Sequence, residues 1–241
     1  MADSINASGK KAVVLFSGGL DSSTVLKIAV DEGFEVVPLS FFYNQRHKVE
    51  LEHAKKIADR FGLKSHVIIN LDFSPIKGSA LTDAGIEVPK NRINAENPHE
   101  TAEDIPATYV PARNTIFLSY ALALAEVTLA GDIFIGVNHL DYSGYPDCRP
   151  EFIAAYEDMA NLATKASVTG KLRYKINTPL INMGKKEIIL KAFSINVPLE
   201  LTHSCYDPVD GLACGLCDSC VLRKKGFGEA GIKDPTRYYK S

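Results

Sequence analysis

A short segment rich in glycine and hydroxyl residues lies near the N-terminus. Its sequence, S-G-G-L-D-S at residues 17–22, follows an apolar run at residues 11–16 and precedes a stretch with helical periodicity. Glycine reaches backbone conformations that other residues avoid, and a helix start offers unpaired N–H groups at the positive end of its dipole. We therefore predict an anion-binding loop. Because neither G-x-x-x-x-G-K-S/T nor G-x-G-x-x-G occurs here, the loop differs from those of Walker-type ATPases and dinucleotide-binding enzymes.

Four of the five cysteines are crowded near the C-terminus, at Cys205, Cys214, Cys217 and Cys220. Gaps of two residues let neighbouring sulfur atoms converge on one ion, and four thiolates leave no open position, which is typical of structural Zn²⁺. An iron–sulfur cluster also takes four cysteines, but the x3-C-P continuation of the ferredoxin pattern is missing. The spacing therefore favours zinc. The remaining Cys148 stands alone in a polar stretch, and we do not predict a catalytic role for it.

The composition is that of a globular protein. Hydrophobic residues make up 46% and charged residues 23% of the 241 residues, so the chain can bury a substantial core. With 27 Lys and Arg against 29 Asp and Glu, the formal charge of −2 argues against a surface built for phosphate backbones or anionic lipid. No apolar run reaches the roughly 18 residues of a membrane span, and the N-terminus lacks the pattern of a secretory leader. We therefore expect a cytoplasmic protein without nucleic-acid or membrane partners.

Strand and helix patterns alternate along the chain, which predicts an α/β fold with a doubly wound, mostly parallel, Rossmann-like sheet. The predicted strands cover residues 11–16, 34–43, 65–69 and 132–138, and the predicted helices cover residues 22–33, 49–61, 113–130 and 151–164. Residues 71–108 lack periodicity, which is typical of a functional loop or lid. A polar loop at residues 141–149 follows the last of these strands, at the edge where open α/β sheets bind ligands.

The glycine segment resembles the pyrophosphate loop of the ATP-pyrophosphatase (PP-loop) superfamily, whose members transfer the AMP moiety of ATP to a substrate. The resemblance implies an adenine nucleotide alpha-hydrolase-like fold and adenylation rather than phosphoryl transfer. In such members the loop holds the departing pyrophosphate, and the aspartate, here Asp21, lies at the Mg²⁺-pyrophosphate end. Ser17 and Asp21 are therefore predicted to be catalytic. The ATP contacts implied by the resemblance are Phe16, Ser17, Gly18, Gly19, Leu20, Asp21, Ser22, Ser23, Thr24, Val25 and Leu26.

Further motifs, all in one order, make the chain similar to the QueC family over residues 12–239. They are Q-R-H at 45–47, Y-V-P-A-R-N-T at 109–115, G-V-N at 136–138, D-Y-S-G-Y-P-D-C-R-P-E at 141–151 and H-S-C-Y-D at 203–207. Membership implies ATP-dependent conversion of 7-carboxy-7-deazaguanine and ammonia into 7-cyano-7-deazaguanine for queuosine biosynthesis, by adenylation of the carboxylate and then of the amide. It also implies Mg²⁺ with ATP, one structural Zn²⁺ on the four cysteines, and a homodimer.

Polar residues near these motifs are candidates for the substrate site. They are Gln45 and Arg46, Arg113 and Asn114 at a helix start, and Asp141, Tyr142, Asp147 and Arg149 in the polar loop. A guanidinium matches a carboxylate in two-point geometry, so Arg149 is predicted to bind the substrate carboxylate and is counted as catalytic. The alternatives are a solvated helix start for Arg113 and Asn114, and a surface ion pair of Arg149 with Asp147 or Glu151.

The expected organisation has three parts. Residues 1–10 are expected to be a disordered tail, residues 11–198 the ATP-binding α/β domain, and residues 199–241 a zinc-binding segment packed on that domain.

Two rival functions stay open. A tRNA thiolase or lysidine-type ligase of the same superfamily generally carries an RNA-binding extension or a basic surface, against which the charge of −2 argues. A zinc-ribbon nucleic-acid-binding module would leave the glycine loop without a role.

Overall fold

A parallel sheet forms the centre of the computed structural model, which describes residues 10–43, 49–83, 85–92, 105–140 and 145–239. The strands are β1 Lys11–Leu15, β2 Glu35–Phe42, β3 Val67–Asn70, β4 Asp132–Phe134 and β5 Lys175–Asn177, in the order β3-β2-β1-β4-β5. Val13 of β1 lies opposite Val37 of β2 and Ile133 of β4. The central strands are short runs of apolar residues because both faces of a parallel sheet are covered.

Helices cover both faces of the sheet. They are α1 Leu20–Asp31, α2 Val49–Arg60, α3 Arg113–Thr128, α4 Pro150–Ala163, α5 Lys165–Val168, α6 Lys185–Ser194 and α7 Asp218–Ala230. Val13 and Leu15 of β1 join the apolar core under α3 and α4, whereas Ala12 and Val14 join the core under α1, α2, α6 and α7. Successive residues of one strand thus serve two cores, which confirms the predicted doubly wound α/β fold.

The fourth strand is shorter than the sequence pattern predicts. The prediction of a strand at residues 132–138 is wrong in its second half, because regular pairing ends at Phe134. The chain then passes the start of α1 at Gly136, where an added Cβ would lie 3.1 Å from the Ser22 nitrogen. A larger residue would push the two segments apart. The close approach brings residues 136–138 to the carboxyl edge of β1.

The long connection after β3 has no helix or strand in its described parts, yet several of its side chains are buried. Phe73, Leu81 and Val88 belong to the same core as α3. Lys90 forms an isolated antiparallel bridge with Cys217. The described parts therefore pack onto the body of the protein and onto the cysteine-containing segment. A lid function for this connection stays a prediction.

The C-terminal segment returns to the body of the protein twice. First, α7 packs against α6. Second, the stretch after α7 pairs with the cysteine segment through a bridge between Ala213 and Tyr238. Within the described residues, no helix is both long and apolar enough to cross a membrane.

Candidate functional site

A cavity of about 260 Å³ opens at the carboxyl ends of β1, β2 and β4. The sheet order β3-β2-β1-β4-β5 reverses direction between β1 and β4, and open α/β sheets bind ligands at such a switch point. The lining residues come from the glycine loop, the start of α3, the stretch after β4, the start of α6 and residues 203–206. The fold therefore gathers segments that are distant in sequence around one cavity.

The glycine loop forms one end of this cavity. The hydroxyl oxygens of Ser17 and Ser22 lie 3.1 Å apart, and the Gly19 N–H donates to Ser17 Oγ at 3.3 Å. Gly18 has a φ of +82°, and a Cβ at this position would lie 2.6 Å from the Ala54 nitrogen of α2. Only glycine fits there, because both the backbone conformation and the space exclude a side chain. The loop is thus preformed at the start of α1, where anions bind.

Asp21 in the first turn of α1 has a cationic partner that sequence reasoning missed. Lys185 Nζ lies 2.9 Å from each Asp21 carboxylate oxygen, and Asn138 Nδ2 donates to Asp21 Oδ2 at 3.3 Å. The pair is largely buried, with the Lys185 side chain 10% and the Asp21 side chain 21% exposed. Lys185 opens α6, where a positive charge opposes the helix dipole. That unfavourable position was the one signal in the sequence that a carboxylate partner was needed.

Another part of the cavity lining combines a guanidinium with phenol groups. Arg113 opens α3, and its electrostatic neighbours include Tyr43, Tyr145, Tyr206 and Asp147. Burial raises the pKa of Tyr43 and of Tyr145 above the ordinary value of tyrosine, so both phenols are neutral at physiological pH. The Arg113 charge is therefore faced by two neutral phenols that can donate and accept hydrogen bonds, and by the Asp147 carboxylate.

The turn before α3 fixes the direction of Arg113. Ala112 has a φ of +53°, and its N–H donates to the Tyr109 hydroxyl at 3.1 Å. The Asn114 N–H donates to Asp147 Oδ2 at 3.0 Å, and Asn114 Nδ2 donates to the Asp147 carbonyl oxygen at 3.1 Å. A left-handed residue other than glycine costs roughly 1–2 kcal/mol, and these hydrogen bonds hold it in place. The start of α3 is thereby aimed at the cavity.

Cys148 lines the cavity beside this turn. Its Sγ accepts a hydrogen bond from Asn114 Nδ2 at 3.4 Å. Burial, and after it the neighbouring Asp147 carboxylate, raise the pKa of the Cys148 thiol to about 12. A thiol that stays protonated at neutral pH is a weak nucleophile.

The predicted ATP contacts fall into two groups in the structure. Those that line the cavity are Phe16, Ser17, Gly19, Leu20, Asp21 and Ser22. Gly18 lies between them but outside the lining. Four others are buried within α1, namely Ser23, Thr24, Val25 and Leu26. The first group is the part of the predicted set that can touch a ligand directly.

The predicted substrate contacts are dispersed. Arg113 and Asn114 line the cavity, and Asp147 is buried behind Asn114. Arg149 is exposed and does not belong to the lining. Four further candidates, Gln45, Arg46, Asp141 and Tyr142, lie outside the described residues. These roles stay predictions.

The four clustered cysteines converge as the sequence predicts. The sulfur atoms of Cys205, Cys214, Cys217 and Cys220 all lie within 4.8 Å of one another, and all four residues are buried. Four sulfurs around a Zn²⁺ at about 2.3 Å would be about 3.8 Å apart, so small shifts suffice for a tetrahedral site. The Cys214 N–H donates to Cys205 Sγ at 3.1 Å. This buried donor set could hold a metal ion.

The four sulfurs share hydrogen bonds, and two basic residues lie beside the cysteine segment. The hydrogen bonds, with Cys205 as the leading partner, lower the pKa of Cys214 and of Cys217, whereas those among the same sulfurs raise the pKa of Cys205 and of Cys220. A bound metal would require all four as thiolates. Lys90 Nζ pairs with Asp207 at 2.6 Å, and Arg92 Nη2 pairs with Asp218 at 2.7 Å. Both cations belong to the connection after β3, so this connection is tied to the cysteine segment by charge as well as by its backbone.

Comparison with known proteins connects this site to one family. The model of the family described as queuosine biosynthesis protein QueC matches residues 11–231. The 7-cyano-7-deazaguanine synthase of Syntrophobacter fumaroxidans is 60% identical over 233 residues, which cover 96% of this chain and 97% of that protein. The 7-cyano-7-deazaguanine synthase of Geobacter metallireducens is 60% identical over 230 residues, which cover 95% of this chain and 93% of that protein.

Proposed function

The chain belongs to the QueC family, and we propose on that premise that it is a 7-cyano-7-deazaguanine synthase of queuosine biosynthesis. Its substrates are 7-carboxy-7-deazaguanine, ammonia and ATP. The observation that carries the proposal is the 60% identity, over nearly the whole chain, to relatives with that name. The cavity supports it, since one space joins an anion-binding loop to an end that carries a guanidinium and aromatic side chains.

The reaction needs two activations because a carboxylate is unreactive toward ammonia. A carboxylate oxygen attacks the α-phosphorus of ATP, which forms an acyl adenylate and releases pyrophosphate. Ammonia displaces AMP and loses one proton, which gives the amide. The amide oxygen then attacks the α-phosphorus of a second ATP and releases pyrophosphate, and loss of AMP and of both protons from the nitrogen leaves the nitrile. Each nitrile thus accounts for two AMP and two pyrophosphate.

The glycine loop is suited to the departing pyrophosphate. Its N–H groups and the hydroxyls of Ser17 and Ser22 lie at the positive end of α1. Preformed donors of this kind stabilise the charge that develops on a leaving group without a cost of reorganisation at the moment of reaction. Because Gly18 packs so closely on α2, the donors keep their positions when the site is empty.

Asp21 and Lys185 add a carboxylate and a cation to this loop. Lys185 spans both oxygens of Asp21 and keeps the carboxylate in place. Mg²⁺ bound with ATP would neutralise phosphate charge, and Asp21 is the residue of the loop that would hold it. Lys185 is then close enough to the loop to meet the phosphate oxygens. Lys185 can therefore exchange its contact with Asp21 for a contact with the phosphates of the nucleotide.

Zinc is the metal we propose for the four cysteines. The donor set is four thiolates with no open position, which suits a structural Zn²⁺ and leaves no site for activating water. The metal would contribute to folding by holding residues 205–220 together. Its removal is expected to lower stability before it alters the chemistry.

Three wider properties complete the proposal. The boundary between the ATP-binding part and the zinc-binding segment is placed at residue 198. The enzyme works in the cytoplasm, whose reducing conditions suit five free cysteines. It is a homodimer, which apolar side chains exposed on neighbouring helices support: Tyr120 and Val127 of α3, and Met159 and Leu162 of α4. Sedimentation at micromolar concentration measures the oligomeric state directly.

The test of the proposed function is a balance of products. The purified protein is incubated with 7-carboxy-7-deazaguanine, ammonium chloride, Mg²⁺ and ATP, and the products are measured by mass spectrometry. We expect the nitrile together with about two AMP per nitrile, from the two activations described above. ADP and orthophosphate as the only by-products would rule the route out. Tight, salt-sensitive tRNA binding without turnover of the free base would favour the thiolase-type rival instead.

A further inference from the structure

We propose that Arg113 is the residue that recognises the substrate carboxylate, and that Tyr43, Tyr145 and Tyr206 bound the deazapurine ring beside it. The inference rests on the proposed function, because it takes the acid named there as the ligand. It assigns the part of the cavity lined by Arg113 to the acid and leaves the glycine loop to the phosphates of ATP.

The cations of the cavity differ in how far their charge is already matched. Among the described residues, the lysine and arginine side chains that line the cavity are Arg113, Lys185 and Arg223. Lys185 is paired with Asp21 at 2.9 Å, and Arg223 donates to Asp234 at 3.1 Å. No ion pair of the described residues includes Arg113. Arg113 is therefore the lining cation whose charge is best placed to meet an acidic ligand.

The carboxylate whose charge acts on Arg113 also binds the start of α3. Asp147 accepts the Asn114 backbone N–H at 3.0 Å and is 7% exposed. Asp147 acts on the Arg113 charge, but no ion pair of the described residues joins the two side chains. A planar guanidinium presented in this way matches both oxygens of a carboxylate.

The phenol rings around Arg113 suit a planar, polar heterocycle. Tyr43, Tyr145 and Tyr206 all line the cavity. Aromatic faces bind flat ring systems, and phenol hydroxyls can donate to or accept from the polar edge of a deazaguanine. Tyr145 is fixed for this purpose, because its hydroxyl lies 2.7 Å from Thr108 Oγ1.

This assignment replaces Arg149 as the carboxylate-binding residue. Arg149 lies just before α4, is exposed and does not line the cavity. To meet a substrate next to the glycine loop, its side chain would need to enter the cavity from outside. Arg113 already lies in the lining, in the same cavity as Asp21 and Ser17.

The two halves of the reaction give the inference a specific signature. The acid carries a negative charge, whereas the amide formed from it is neutral. A guanidinium that recognises the carboxylate should therefore matter much more for use of the acid than for use of the amide. A residue that contacts ATP would affect both halves equally, since each consumes one ATP.

The experiment compares Arg113→Gln with wild type on both substrates. For 7-carboxy-7-deazaguanine we expect kcat/KM to fall about 10- to 150-fold, the range for loss of a charge-assisted hydrogen-bond pair. For the 7-amido compound we expect a fall of less than about threefold, and the KM for ATP should stay within about twofold of wild type. Arg113→Lys keeps the positive charge but loses the two-point geometry of the guanidinium. Its kcat/KM for the acid should lie between those of wild type and Arg113→Gln. Arg60→Gln, on the exposed side of α2, is the matched control.

Several outcomes would overturn the inference. One is an equal loss with acid and amide, and another is a loss carried by the KM for ATP, which would assign Arg113 to the nucleotide. A raised KM for the acid in Arg149→Gln, without one in Arg113→Gln, would restore the earlier candidate. If Arg113→Gln unfolds, Arg113→Lys is compared on acid and amide in its place, with the same criterion. Failure of the proposed function is distinct, since wild type itself would then make no nitrile or AMP.

Discussion

Replacing Gly18 by alanine tests the close packing of the glycine loop on α2. Gly18 has a φ of +82°, and a Cβ would lie 2.6 Å from the Ala54 nitrogen and 2.8 Å from the Glu50 carbonyl oxygen. Gly33 offers a matched control, because its φ is +81° but nothing lies within 4 Å of a Cβ there. The two substitutions share the backbone strain and differ only in the contact with α2.

The expected costs follow from this difference. The left-handed conformation costs an alanine roughly 1–2 kcal/mol at either position. At Gly18 the backbone of α2 cannot rotate away as a flexible side chain could, so overpacking adds about 1–3 kcal/mol. Gly33→Ala should therefore lower the free energy of unfolding by about 1–2 kcal/mol, and Gly18→Ala by about 2–5 kcal/mol.

Urea unfolding and steady-state kinetics measure both consequences. We expect Gly18→Ala to lower kcat/KM for ATP by at least about 100-fold, because displaced loop donors no longer meet the pyrophosphate. Gly33→Ala lies at the far end of α1 and should retain activity within about twofold. Equal losses of stability in the two variants, with ATP kinetics preserved in Gly18→Ala, would refute the packing argument and the role of the loop together.

The other predictions concern charges and the metal. Lys185→Met leaves the Asp21 carboxylate without its cation, so we expect the free energy of unfolding to fall by about 1–3 kcal/mol and kcat/KM for ATP by about 100-fold or more, measured by urea unfolding and kinetics. Cys217→Ser should bind less than half of the wild-type zinc per chain, measured by elemental analysis, and should melt at a lower temperature. Asp234→Asn should lose stability at pH 7, and its difference from wild type in urea titrations should disappear as pH falls through the depressed pKa of Asp234.

The sign of the last prediction follows from the Asp234 site. Burial alone would raise the pKa of this carboxyl, but the Arg223 charge and the hydrogen bonds from Tyr238 and Thr236 outweigh it and lower the pKa. A depressed pKa contributes stability above the unfolded value of about 3.9, and that contribution disappears as pH falls through the folded value. An unchanged difference between wild type and Asp234→Asn at acid pH would contradict this linkage.

Matched variants control the other two predictions. Lys186→Met removes an exposed lysine next to Lys185. It should leave the free energy of unfolding nearly unchanged and kcat/KM for ATP within about twofold of wild type. Cys148→Ser removes a cysteine outside the cluster and should leave the zinc content at the wild-type value. Zinc retained in Cys217→Ser, or activity retained in Lys185→Met, would show that the corresponding group is not needed.

Local sequence patterns predicted the elements that depend on local physics. The apolar run of β1, the glycine loop and the start of α1 follow one another in the chain, so their types and spacing were sufficient. β5 is only three residues long and α6 only ten, so neither had a pattern long enough to stand out. Local patterns also cannot identify pairs of residues that are distant in the sequence. Lys185 meets Asp21 across 164 positions, and its residue type alone does not name its partner.

The Arg149 role stays a prediction, and it concerns a property that sequence patterns leave open. The choice rested on a guanidinium close to polar and aromatic residues, which is a correct statement about chemistry. The direction of a side chain, however, depends on the conformation of the backbone. Arg149 directly precedes Pro150 and the first turn of α4, where its side chain is exposed. Arg113 faces the cavity because the left-handed Ala112 turns the chain there, and no sequence rule marks an alanine for that conformation.

The prediction for Cys217→Ser extends beyond stability because the metal segment and the glycine loop share hydrogen bonds. The His203 N–H donates to the Gly18 carbonyl at 3.0 Å, and the Leu20 N–H lies 3.5 Å from Ser204 Oγ. Cys205 directly follows His203 and Ser204 in the chain. Loss of the metal frees this stretch, so the KM for ATP should rise several-fold in Cys217→Ser even where the protein remains folded. A normal KM for ATP in a folded, zinc-free variant would show that the loop holds its shape without the cysteine segment.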